Sequence, residues 1–293
     1  MVLTNRHSLP VPLLNALSRV RYSRGPAHRS VTQLIDSPRV ERLRSKHQES
    51  LETDASDRLW ALMGTALHHV LEMGADDQHL PEERLFAEVD GWRISGGIDL
   101  QILTPGDPPT VRLMDYKLTS VWSVIHPKKA WPDQLTMYAW LIRQAKGYVV
   151  EEAAIVAILR DWSRKESERK EDYPKAPIVV VPIPLRSPEE ADAFVRERVR
   201  LHKDAQRAME WDEALPLCSD EERWARPATF AVMKPGRKTA VRVFDTRDEA
   251  EAFVKENAGT EVVERPGEYV RCAGDYCSVS AHCEQWQQSK RSE

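Results

Sequence analysis

Between Asp54 and Leu159 the apolar pattern changes period three times, and this constrains the fold more than any other feature of the chain. From Asp54 to Gly74, residues Leu59, Leu62, Met63, Ala66, Leu67, Val70 and Leu71 recur at helical spacing. Arg84–Val89 and Trp92–Leu103 then read as strands joined by Asp90-Gly91, a favoured two-residue hairpin turn. Gly96-Gly97 interrupts the second strand, which implies a bulge or a close backbone approach. A Pro-rich loop, 104–109, leads to a third strand, Val111–Lys117. Trp131–Lys146 reads as a helix opened by Pro132, and Val149–Leu159 as a buried strand. The order helix, three strands, helix, strand describes an α/β chain.

The flanks are less regular. Residues 1–53 read as a helical, basic segment, in which Ser37-Pro38 opens a short helix. Ile178–Ile183 is another strand, and Ser187-Pro188-Glu189-Glu190 is a capping-box start for a helix reaching about Trp211. Beyond Cys218, strands 229–233 and 240–244, a helix 246–257 and a strand 261–264 suggest a small ββαβ unit. The division expected is 1–53, a core 54–217, a cysteine-bounded region 218–286 and a flexible tail 287–293.

With 41% hydrophobic residues among 293, a sizeable core is available. The net charge of −4 argues against passive wrapping of nucleic acid, though local basic clusters remain. Arg19, Arg21, Arg24 and Arg29 suggest a phosphate-contacting arm; the run Arg160–Lys170 is interleaved with Glu166 and Glu168 and reads first as a solvated face. No stretch approaches the ~20 apolar residues of a membrane span, and no secretory signal is evident, so a cytoplasmic protein with reduced thiols is expected.

The chemistry concentrates at the end of the third strand. Asp115 and Lys117 in Asp115-Tyr116-Lys117 project from one strand face, with Cα atoms roughly 6.5 Å apart. Asp99, ending Gly-Gly-Ile-Asp in the hairpin, supplies a second carboxylate. Two acids and the Tyr116 carbonyl suit Mg²⁺ or Mn²⁺, and an ammonium beside them can orient a water. Gly64 and His68 share one helical face, as do Gln134 and Tyr138. A small residue at 64 would let another backbone come close. Glu83, Arg84 and Glu88 read as solvated surface.

These motifs together resemble the PD-(D/E)XK nuclease superfamily, in its RecB-like exonuclease branch. The resemblance covers about Asp54 to Leu159 and rests on Gly64-xxx-His68, Asp99, Asp115-Tyr116-Lys117 and Gln134-xxx-Tyr138, in that order. It implies a restriction-endonuclease-like core, a central mixed sheet flanked by helices. It also implies metal ligation by His68, Asp99 and Asp115, catalysis with Lys117, and DNA contacts or ordering of the site by Gln134 and Tyr138. Arg19, Arg21 and Arg24 would add DNA contacts.

Cys272, Cys277 and Cys283 lie within twelve residues, and Cys218 completes a set of four. Thiolates so grouped suit a soft metal or an iron–sulfur cluster. AddB-type and CRISPR-adaptation members of the resembled branch carry a [4Fe–4S] cluster with three cysteines after the core. Zn²⁺, with His282 in place of Cys218, is the alternative. Either would clamp the C-terminal region. The function expected is a metal-dependent DNA exonuclease acting on ends or single strands in recombination, repair, or phage and mobile-element DNA processing, with a possible recombination or single-strand-binding partner protein. A catalytically degenerate DNA-binding or complex-forming module, and a metal-stabilised adaptor, are the alternatives.

Overall fold

The computed structural model describes residues 2–19, 24–74, 76 and 78–292. In chain order the elements are β1 (Val2–Thr4), α1 (Val11–Arg19), β2 (Arg29–Ser30), α2 (Val31–Ile35), α3 (Pro38–Lys46), β3 (Glu52–Asp54), α4 (Leu59–Glu72), β4 (His79–Val89), β5 (Trp92–Thr104), β6 (Thr110–Thr119), α5 (Val121–Ile125), α6 (Ala130–Lys146), β7 (Val149–Leu159), α7 (Arg164–Arg169), β8 (Ile178–Ile183) and α8 (Pro188–Glu210). There follow β9 (Ala225–Arg226), β10 (Thr229–Met233), β11 (Arg242–Phe244), α9 (Arg247–Glu256), β12 (Glu261–Arg265), β13 (Glu268–Tyr269), α10 (Val270–Ala273) and α11 (Glu284–Ser292).

Two compact units result, Met1–Asp36 with Glu49–Glu213, and Ser37–Gln48 with Ala214–Glu293. The N-terminal 53 residues, which read as one segment, are thus divided between the units. Their secondary structure is mixed, with two strands before α3 and one after it.

The first unit is built on a six-stranded mixed sheet in the order β2-β5-β6-β7-β8, with β4 also on β5. β4 and β5 form the expected hairpin; Asp90 and Gly91 take φ values of 48° and 73°, as a turn of that hand requires. β6 and β7 are parallel and linked through α6, while β8 returns antiparallel. β5 is shared: its first part pairs with β2 at Ile94 and Ser95, and its last part with β6 from Leu100 onward. Between those contacts, at 96–99, its edge is left open.

α6 is buried almost all round, as its apolar content demands. Leu135, Leu141 and Ile142 have no exposed surface, and Ile98, Leu113 and Ile155 of the sheet match them. Gly147, left-handed at φ 71°, ends the helix. At Gly96 the approach is close, since an added Cβ would lie 2.7 Å from Leu141 Cδ1 and 2.8 Å from Tyr138 Cε1. The ladder runs unbroken through Gly96 and Gly97, so the sequence signal marks proximity rather than a bulge. Gly96→Val is expected to destabilise the unit by about 1–3 kcal/mol through overpacking, read as a lower urea midpoint.

α8 starts with the expected capping box between Ser187 and Glu190. It buries His202, whose Nε2 lies 3.2 Å from the Leu34 carbonyl; burial holds that imidazole down at about 4. α4 differs from a core helix. None of its residues is buried, and Trp60, Met63 and Val70 are 51%, 46% and 58% exposed. Among the described residues nothing lies within 4 Å of a Cβ placed on Gly64, so none of their backbones approaches there.

In the second unit, β10 lies between β11 and β12 in an antiparallel sheet, with α9 packed on it through Ala250. α3 contributes Arg39, Val40 and Leu43 to the interior. Ser37 stands at the N-cap of α3 as expected, yet its hydroxyl makes no cap bond and lies 3.1 Å from Cys218 Sγ. The tail expected to be flexible from Gln287 continues α11 to Ser292.

Candidate active site

One rung of the first unit's sheet carries three acids. The hairpin register pairs Pro81 with Leu100 and Glu83 with Ile98, which sets Glu82 opposite Asp99. The β5–β6 register pairs Leu100 with Met114, which sets Asp115 on the other side of Asp99. Strands lie ~4.8 Å apart, so carboxylates on one rung are crowded. The ladder gives way here. Glu82 takes φ 49°, a left-handed conformation that is strained for a side chain other than glycine. Past Met114 the β5 backbone no longer pairs with β6; the Asp99 Oδ2 atom accepts the Tyr116 N–H at 2.8 Å instead.

α4 packs against β6 and β4 and brings His68 to this opening. His68 Nδ1 donates to Glu82 Oε1 at 2.8 Å and lies 3.6 Å from Asp99 Oδ1. Ligand atoms of His68, Glu82 and Asp99 all fall within 4.8 Å of one another. Asp115 is buried beside them and is held differently. Gln134 Nε2 donates to its Oδ1 at 3.0 Å and to the Tyr138 hydroxyl at 2.9 Å, and Lys117 Nζ lies 2.6 Å from its Oδ2.

The electrostatics favour a bound cation. Burial first, then the Asp115 charge, pushes the Asp99 carboxyl up to about 7. Burial raises Asp115 also, against the pull of Lys117. The hydrogen bond to Glu82 is the largest influence raising His68. Two crowded, buried acids with one ammonium beside them, plus an imidazole and a third carboxylate at coordination range, form a donor set suited to a hard divalent cation.

The structure therefore gathers His68, Asp99, Asp115, Tyr116, Lys117, Gln134 and Tyr138 into one region. Arg19 ends α1 and Arg24 precedes the Gly25 turn; both side chains are exposed. Arg21 lies outside the described residues. Arg29 is not part of an open basic arm, being 6% exposed with its guanidinium over the Trp92 ring at 5.1 Å. Glu83, read as surface, is tied to Gln101 and Lys146. Glu82 was missed by sequence reasoning. A signal existed: a two-residue turn at 90 and 91 fixes the hairpin register, and that register places residue 82 across from residue 99.

The second unit has a site of its own. Cys218, Cys272, Cys277 and Cys283 all line one cavity, together with Arg39 and Trp286. His282, the candidate substitute, does not line it and stacks on His47 with ring centroids 4.1 Å apart. Burial raises the Cys218 thiol to about 11, and raises Cys277. Arg39 Nε points at Cys283 Sγ from 3.4 Å. Among the described residues no three cysteine sulfurs lie within 4.8 Å of one another. The four ligands of one tetrahedral Zn²⁺, at bonds of 2.3 Å, would stand roughly 3.8 Å apart.

A mixed sheet flanked by helices, with acids and a lysine gathered where two strands part, fits a restriction-endonuclease-like fold. The family comparison agrees: the profile of the PD-(D/E)XK nuclease superfamily matches residues 25–284, and the chain belongs to that superfamily of metal-dependent nucleases. A solved structure described as "Crystal structure of SSO0001" is similar at 19% identity over 64% of this chain and 84% of that one, with a TM-score of 0.43. No curated protein matches the chain. No helix among the described residues is long and apolar enough to cross a membrane.

Proposed function

We propose that the chain is a Mg²⁺- or Mn²⁺-dependent deoxyribonuclease of exonuclease type, working on DNA ends or single strands in recombination, repair or mobile-element DNA processing. The observation that carries this reading is the rung of acids beside Lys117. His68, Asp99 and Glu82 would hold the ion, with Asp115 and the Tyr116 carbonyl completing its surroundings. A bound divalent ion would lower the pKa of a water and offset charge at phosphorus. The chain's own groups do the rest. The Lys117 ammonium, 2.6 Å from Asp115, would orient the attacking water. Gln134 fixes the Asp115 carboxylate and links it to Tyr138; both side chains are buried, so they order the site rather than touch a substrate. Arg19, Arg21 and Arg24 are proposed backbone contacts.

The test is hydrolysis of end-labelled DNA with Mg²⁺, with Mn²⁺ and with chelator. Metal-dependent release of nucleotides from ends is expected, and no cleavage of any DNA with either metal would refute the reading. Glu82→Gln should weaken apparent metal affinity by about 10–100-fold, the usual cost of losing one supporting group at a metal site, seen as a higher Mg²⁺ concentration for half-maximal rate.

The four cysteines are proposed to hold a [4Fe–4S] cluster. Support comes from four thiols that line one cavity. Its role would be structural, securing α3 and the segment after Cys272 within the second unit. Protein purified without oxygen should be brown and contain iron; colourless protein with one zinc per chain would favour the other metal. A cytoplasmic setting and a recombination or single-strand-binding partner protein belong to the same proposal.

A further inference from the structure

Beside Lys117 lies a surface that the acids do not explain. At the far ends of β6 and β7 the chains remain tied, with Arg160 N–H donating to the Thr119 carbonyl at 3.0 Å and Val121 N–H to Asp161 at 2.8 Å. That tie brings three elements to one edge. From α4, Trp60 is 51% exposed, with the Arg160 guanidinium over its ring at 4.3 Å. From α5, Trp122 is 67% exposed and backed by His126 at 3.8 Å between centroids. After α5 comes Lys128, whose ammonium is lowered by burial first and then by the neighbouring charges of Arg160 and Lys117. Two indoles, each with a neighbour on one side and half or more open, thus lie on or beside the elements that carry Arg160, Lys128 and Lys117, and the last of these is the Lys117 of the acid cluster.

We propose that this edge is a stacking platform for single-stranded DNA, leading an unpaired strand from Trp122 and Trp60 toward Asp115 and Lys117. The inference rests on the nuclease reading and narrows its substrate. Exposed indoles alone would suit a protein partner equally well. The cations among them do not, because a basic cluster on a chain of net charge −4 is complementary to phosphate. An indole face can receive a base only when that base is unpaired, since in a duplex both faces are occupied by neighbouring pairs. Arg160 has a double use here, fixing the Trp60 ring from one side and offering its charge to the backbone. The basic run that follows does not extend the platform: Arg169 and Lys170 are paired with Glu166.

The experiment is fluorescence anisotropy of the full chain in chelator, with a labelled twenty-residue oligothymidine and a labelled blunt hairpin of equal length. The oligothymidine should bind at least about tenfold tighter than the hairpin. Trp60→Ala and Trp122→Ala should each weaken it about tenfold while leaving hairpin binding unchanged, and Trp60→Phe and Trp122→Phe, which keep a ring, should recover most of the loss. Wild-type affinity in the alanine variants, or preference for the hairpin, overturns the platform. Cleavage assays with Mg²⁺ separate the two readings. DNA cleavage with no effect of either tryptophan sinks the platform and leaves the nuclease standing. Tryptophan-dependent oligothymidine binding without cleavage of any DNA supports the platform and sinks the nuclease.

Discussion

Asp115→Asn is expected to slow metal-dependent DNA cleavage about 10³-fold while leaving DNA binding nearly intact, because several kcal/mol of charge stabilisation leave with one carboxylate charge. The substitution is close to isosteric. Asparagine at 115 keeps an oxygen to accept from Gln134, so the Gln134–Tyr138 link survives. What disappears is the negative charge 2.6 Å from Lys117. That charge holds the ammonium in place and contributes to attraction of the cation, so both the ion and the amine are mispositioned by one change. End-labelled DNA in a single-turnover assay measures the rate, and binding in chelator controls for folding. A rate within tenfold of wild type would remove Asp115 from the reaction and leave Lys117 without its orienting partner.

Much of the frame around this residue was legible in the sequence because local rules govern it. Asp90-Gly91 dictates a hairpin, Ser187 and Glu190 a capped helix, and apolar runs of strand length the buried β7. The ββαβ pattern after Cys218 likewise appears as β10, β11, α9 and β12, since each piece announces itself through its own periodicity. What stayed hidden depends on partners distant in the chain. Arg29 looks like a free cation until Trp92 covers it, sixty-three positions away. Ser37 looks like an ordinary cap until Cys218 takes its hydroxyl. Glu82 sits in a Glu-Glu pair that resembles solvated surface, and only the register across the hairpin sets it beside Asp99. The apolar stripe of α4 was legible as a helix, and its exposure shows that periodicity reports an amphipathic face without saying what covers it.

Asp99→Asn gives the second large effect, and it separates the demands of catalysis from those of folding. Asp99 is buried, and its carboxyl is pushed up to about 7, above the ordinary carboxylate range. The folded state therefore holds this proton across a range where the unfolded chain has released it. A group of that kind supports the fold most fully below its unfolded pKa near 4, and the support is lost as pH rises through 7. In chelator, wild type should thus become less stable relative to Asp99→Asn between about pH 4 and pH 7, by a few kcal/mol in total, with the variant the more stable protein at pH 8. Asparagine can still accept the Tyr116 N–H, so the gain is not masked by a broken bond. Taking the difference between the two proteins also cancels His202, whose depressed pKa works in the opposite direction by weakening both as pH falls below about 6.5. Mg²⁺ should reverse the order: it raises the melting temperature of wild type, where repulsion between Asp99 and Asp115 is relieved, and has little effect on the variant. Thermal melts of both proteins at pH 4, 6 and 8, with chelator and with Mg²⁺, measure the whole pattern. A difference independent of pH, or an equal response to Mg²⁺, would mean that the Asp99 carboxylate is neither strained by its neighbours nor aimed at a cation.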